Sequence, residues 1–73
     1  MMNLLDLKPG ESAVVRKLHG TGPLRRRFND MGIVPGTSLQ YIKPAPLGDP
    51  IQIKVKGMNI SIRKNDAKDV EIE

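Results

Sequence analysis

The sequence contains no cysteine and no tryptophan, and only one histidine, one tyrosine and one phenylalanine in 73 residues. Without cysteine there is no disulfide framework, no thiolate metal ligand and no thiol nucleophile, and a reducing cytoplasm fits that composition. Uninterrupted apolar runs reach two or three residues, far short of the ~20 that a bilayer-spanning helix needs or of the core of a secretory signal. The expectation is a soluble, cytoplasmic chain that neither inserts into a membrane nor leaves the cell by that route. The scarcity of aromatics removes the stacking platform on which single-strand binders rely, since only Tyr41 and Phe28 are available.

Chemistry finds little to work with. His19 is the sole histidine, and the tail acids Asp66 and Asp69 read as solvated carboxylates rather than an acid/base pair. Gly20-Thr21-Gly22 lacks the spacing and the lysine of a phosphate-binding loop. His19, Asp30, Asp49, Met31 and Met58 offer no pair at ligand spacing. No catalytic residue, no cofactor and no intrinsic metal site is therefore expected; the chain reads as non-enzymatic.

What is present is aliphatic and basic. Seven Leu, seven Ile and five Val supply one compact core, and a chain this short buries only a little over ~60% of its unfolded surface, so one domain is expected over residues 1–73. The net charge is +4, but it is unevenly distributed. From Lys8 to Lys64, eleven Lys and Arg face only Glu11, Asp30 and Asp49, giving +8; the tail from Asn65 to Glu73 carries −3, and Asp6 the remaining −1. Such a body suits an acidic protein face, nucleic acid or anionic lipid, or simply keeps a small protein in solution.

Turn chemistry divides the chain. Leu4 and Leu7 cover one side before Lys8-Pro9-Gly10-Glu11, which predicts a type II turn. In the strand that follows, Ala13 and Val15 alternate but Leu18 falls out of phase, which calls for a bulge near Arg16-Lys17 or two covered faces, and the bulge is the expectation. Thr21 or Gly22 caps a helix entered through Pro23, with Leu24, Phe28 and Met31 on one inward stripe and Gly32 as its stop. Arg27 has Asp30 one turn on as a candidate partner. Val34-Pro35-Gly36-Thr37 turns into a second strand in which Leu39 and Tyr41 share a face. The segment from Pro44 to Pro50 holds three prolines and reads as a stiff loop, not a strand interior. A hairpin follows, and a two-residue turn at Gly57-Met58 sets Val55 against Ile60, Ile53 against Ile62 and Lys54 against Ser61. A helical turn at Asn65–Asp69 and a last short strand with Val70 and Ile72 complete a mainly β chain: a small SH3-like five-stranded barrel with one inserted short α-helix.

Two surface features stand out as contacts. Arg25, Arg26 and Arg27 fan around the short helix so that at most two point one way. Leu47 sits at the tip of the proline-rich loop, where a preset backbone lowers the entropy cost of binding. The residues expected to meet a partner are Arg25, Arg26, Pro46, Leu47 and Asp49.

Taken together and in order, the segments Leu7-Lys8-Pro9-Gly10-Glu11 with Ala13 and Val15, Leu24 to Gly32 followed by Pro35-Gly36-Thr37, Ala45 to Pro50, and Ile60 to Arg63 with Ala67 and Val70 resemble the ferrous iron transport protein A (FeoA) family over nearly the whole chain. Phe28 stands where the family usually has Leu, and Asp66 where Glu is commoner. The resemblance implies a small cytoplasmic accessory of ferrous iron uptake that docks on the large membrane iron transporter with its GTPase domain. It also implies a family linked to iron homeostasis and transition metal ion binding, although no ligand set in this sequence supports direct binding. No nucleic acid partner is expected, and self-association is left open. The alternatives are a small basic barrel that binds nucleic acid and an autonomous transition-metal sensor.

Overall fold

The computed structural model describes residues 2–73. Five antiparallel strands form one sheet in the order β4-β3-β2-β1-β5, with β1 at Ser12–Leu18, β2 at Ser38–Pro44, β3 at Ile51–Val55, β4 at Met58–Ile62 and β5 at Val70–Ile72. A nine-residue helix, α1 (Gly22–Asp30), connects β1 to β2, and a single helical turn, α2 (Lys64–Ala67), connects β4 to β5. A 3-10 turn at Leu4–Asp6 precedes the sheet, closed by a capping box in which Asn3 and Asp6 serve each other's backbone amides.

One core joins these pieces. Leu4, Val15, Phe28, Ile33, Leu39, Tyr41, Ile51, Ile53, Val55, Ile62, Ala67, Val70 and Ile72 are buried, and every strand and both helices contribute to the set. Alternation produces this directly: in β3, Ile51, Ile53 and Val55 face inward while Lys54 stays in water. Leu24 and Met31 of the helical stripe pack half-buried beside Phe28.

The expected bulge in β1 is present. Val15 pairs with Ile72 and Lys17 with Glu71, leaving Arg16 as the extra residue, which returns Leu18 to the inner side. A second bulge went unforeseen. Between Tyr41 and Lys43 the pairing with β3 slips by one at Ile42, because Tyr41-Ile42 puts adjacent apolar residues into a two-residue period. Pro44 consequently ends β2, paired with Ile51, instead of opening the loop.

The β3–β4 hairpin corrects the expected register. Its turn is Lys56-Gly57, not Gly57-Met58, and pairs Val55 with Met58, Ile53 with Ile60, Ile51 with Ile62 and Lys54 with Asn59. Both turn residues are left-handed, Lys56 at φ 51° and Gly57 at φ 81°, as a two-residue turn that matches the strand twist demands. The one-residue displacement of the turn moves each partner two places, so inward residues still oppose inward residues. Lys56 bears the left-handed strain of an L side chain, and Lys56→Asn is expected to raise stability by about 0.5 kcal/mol. Urea denaturation checks it; an unchanged midpoint would show the turn to be unstrained.

Candidate docking site

Beside the core, α1 and α2 stand apart enough to leave an open groove. Thr21 caps α1, its Oγ1 accepting from the Leu24 amide at 3.2 Å, and this fixes the helix with Leu24, Arg27, Phe28 and Met31 along one side. Those four residues, Pro50, Ser61, Ile62 and Arg63 at the end of β4, and Asp66 of α2 line a groove of about 240 Å³. A second hollow of about 390 Å³ continues past Leu24 and Arg27 toward Gly20, Asn65 and Asp69. Arg27 and Asp66 stand between the two, Nη2 to Oδ2 at 3.8 Å. Arg27 therefore reaches across to α2 rather than pairing with Asp30 along its own helix. Its side chain is 68% exposed, so the pair adds little to stability.

The proline-rich loop abuts this groove through Pro50. The amide of Gly48 donates to the Ala45 carbonyl at 2.7 Å and that of Ala45 to the Pro50 carbonyl at 2.8 Å, which ties the turn across its base. Leu47 projects from it, 97% exposed. Asp49 has a second role that its position in the sequence did not suggest: Oδ1 accepts from the Lys64 amide at 3.0 Å. It thereby caps α2, whose own N-cap residue Arg63 makes no side-chain bond, and binds the turn to the groove wall.

Of the five residues expected as contacts, Pro46, Leu47 and Asp49 are exposed on this turn, and Arg25 and Arg26 are exposed on α1 without lining the groove. Arg27, Arg63 and Asp66 are the groove residues not expected. The signal for Arg27 was its position three residues after Leu24, which puts it on the inward stripe, whereas Arg25 and Arg26 turn away. Arg63 and Asp66 meet α1 only through the folding of β4 and α2, and no local pattern announces that.

At the junction of β1 and β5, His19 Nε2 donates to Glu71 Oε1 at 2.7 Å, and Arg16 Nε approaches Oε2 at 3.3 Å. The hydrogen bond from His19 is the main reason the Glu71 carboxyl ionises below its ordinary value of 4.5; partial burial opposes this, while the charges of His19, Arg16 and Lys17 reinforce it. The folded state thus favours ionised Glu71, a contribution fully present above pH 4.5 and lost as pH falls through the lower folded value. Thermal midpoints of the chain and of Glu71→Gln should converge as pH falls below 4.5; a constant difference down to pH 2 would rule this linkage out. His19 and Glu71 satisfy each other, and among the described residues no group of three His, Cys, Asp or Glu side chains is placed to hold a metal ion. The described residues therefore offer no three-ligand cluster into which a resident metal would fit.

Five antiparallel strands with a connecting helix and a projecting turn make this a small domain of the SH3-like class. A family model for the FeoA domain matches residues 2–73, and the chain belongs to the FeoA family. It is 36% identical over 72 residues to an Fe(2+) transport protein A/Fe(2+) transporter FeoB fusion protein of Porphyromonas gingivalis, a match covering 99% of this chain and 8% of that protein. Iron(II) transport protein A from Clostridium thermocellum superposes with a TM-score of 0.92 at 40% identity, over 99% of this chain and 44% of the other. The chain thus spans less than half the length of either relative. Stenotrophomonas maltophilia FeoA complexed with zinc, described as a prokaryotic SH3 domain protein, superposes with a TM-score of 0.81 at 28% identity, over 100% of this chain and 91% of the other. Both the Porphyromonas gingivalis and the Clostridium thermocellum proteins are named as iron(II) transport proteins. Among the described residues no helix is long and apolar enough to cross a membrane.

Proposed function

We propose that this chain is a cytoplasmic accessory of ferrous iron uptake that docks on the cytoplasmic part of the membrane GTPase iron transporter. The observation that carries this reading is the fusion: in a relative matching 99% of the chain, the matching stretch is covalently joined to a FeoB transporter. Joining two modules raises their effective concentration and rewards a contact between them. The surface for that contact is the α1–α2 groove with Arg27 and Arg63, extended by Arg25 and Arg26 on the helix and by Pro46, Leu47 and Asp49 on the turn. The helix and the tied turn fix the backbone of these residues, so the ordering cost of binding falls on their side chains.

The test is capture of the detergent-solubilised transporter by the tagged chain under anaerobic conditions, with the affinity measured on the purified pair. Saturable binding in the micromolar range or tighter (about −8 kcal/mol) is the expected result. Failure to enrich the transporter, with nucleic acid or an unrelated soluble protein recovered instead, would overturn the reading.

A further inference from the structure

The two edges of the sheet are treated differently. The outer edge of β5 is covered by the N-terminal segment: Asn3 bridges to Glu71, and the Ile72 amide donates to the Met2 carbonyl at 3.0 Å. The outer edge of β4 has no such cover. Its pairing with β3 starts from the two-residue turn as a hydrogen-bonded Val55–Met58 pair, so alternation turns Met58, Ile60 and Ile62 toward β3 and leaves the amides and carbonyls of Asn59 and Ser61 pointing away from it. Among the described residues, no backbone hydrogen bond from outside the hairpin reaches Asn59 or Ser61.

Natural edge strands are blunted by lysine, proline, bulges or covering segments. Met58–Ile62 has no charged residue and no proline, and its register is unbroken. Met58 at its start is 67% exposed. Ser61, Ile62 and Arg63 at its end form a wall of the groove that also contains Phe28, Leu24 and Met31. A strand laid along β4 would therefore present alternate side chains to apolar surface on one side and to water on the other.

Charge identifies the occupant. From Pro50 to Asn65 there is no acid, while Lys54, Lys56, Arg63 and Lys64 carry four positive charges; the two nearest acids are engaged, Asp66 with Arg27 and Asp49 with the Lys64 amide. Self-pairing is opposed by this arrangement, because antiparallel β4 strands bring the Lys56 turn of one copy near the Arg63 and Lys64 end of the other. An acidic strand gains from the same charges. We infer that the free edge of β4 receives an extended acidic segment of a partner protein by strand addition, with its apolar side chains turned into the α1–β4 groove. This mode of recognition takes affinity from backbone hydrogen bonds and specificity from alternate side chains. It rests on the docking reading for the identity of the partner, but the surface itself can be tested without the transporter.

The probe is an acetylated hexapeptide alternating glutamate and valine, titrated into the 73-residue chain by amide NMR. Its controls are the lysine-for-glutamate peptide and two N-methylated versions, one blocked at the glutamate amides and one at the valine amides. Because successive strand amides point to opposite edges, one methylated peptide should bind within about twofold of the parent and the other at least about tenfold more weakly. The lysine peptide should lose at least about tenfold as well. Shifts should centre on the Asn59 and Ser61 amides. Equal effects of the two methylations, equal binding of the lysine peptide, or no binding of the acidic peptide at millimolar concentration overturns strand addition. Transporter capture that persists alongside such a result would locate docking elsewhere on the chain; peptide binding without transporter capture would retain the surface and overturn the docking reading.

Discussion

Phe28→Ala should leave the chain largely unfolded at 37 °C. Phe28 is the largest fully buried side chain and is 1% exposed. Truncating a buried Phe to Ala typically costs about 3–5 kcal/mol through lost transfer energy and the cavity left behind. A chain of this length has a total stability of about 4–11 kcal/mol, so a single cavity consumes much of the margin. The site has little means of collapse: α1 is held at its start by Thr21 and Pro23, and at its end by Met31 and Ile33 amides that both donate to the Phe28 carbonyl, at 3.1 and 2.8 Å. Phe28→Leu, which retains most of the volume, should cost only about 1 kcal/mol. Urea denaturation of the two variants, with amide dispersion as a check on folding, tests the pair. A loss below about 1 kcal/mol for the alanine variant would show that α1 is not anchored through this residue.

The second large effect is on docking. Arg27→Glu combined with Leu47→Asp should reduce transporter capture by more than about tenfold, since Arg at the centre of a contact and an apolar group at a rigid tip are where binding energy concentrates. The thermal midpoint should move by less than about 8 °C, because Leu47 is 97% exposed and the Arg27–Asp66 pair is a solvent-exposed one worth under about 1 kcal/mol. Reversing Arg25 and Arg26 to Glu provides the informative comparison. If the groove is the contact, these two contribute mainly long-range attraction, and their loss should be smaller and should fade at high salt. If reversing Arg25 and Arg26 abolishes capture while the Arg27 and Leu47 variant binds normally, the contact lies on the outer face of α1 and the groove assignment fails.

The difference between those two surfaces traces to how each was signalled. Arg25-Arg26-Arg27 is conspicuous as a run, yet on a helix a run points three ways, and only the residue three places after Leu24 joins the groove. Leu47 was legible because three nearby prolines stiffen its loop whatever surrounds it, and the structure leaves it at the exposed tip. Asp49 shares that loop, but its carboxylate caps α2, a partner fifteen positions away. Arg63 and Asp66 carried no mark at all, since each belongs to the groove only because β4 and α2 fold against α1.

By itself the sequence determined the periodic and local features: five short strands, the helix capped at Thr21 or Gly22 with its Leu24–Phe28–Met31 stripe, a bulge near Arg16-Lys17 signalled by Leu18, and a basic body with an acidic tail. These follow from side-chain period, turn-residue chemistry and composition, which act within a few residues. Tertiary structure alone decided the register of the β3–β4 hairpin, the bulge at Ile42, the cap that Asp49 supplies to α2, the groove between α1 and α2, and which sheet edge is left uncovered. All but the first of these depend on which distant segments meet. In the hairpin, a shift of one turn residue preserves the inward and outward alternation, so hydrophobic pattern cannot choose between the registers; the choice falls to the left-handed geometry that the twisted sheet imposes on Lys56 and Gly57.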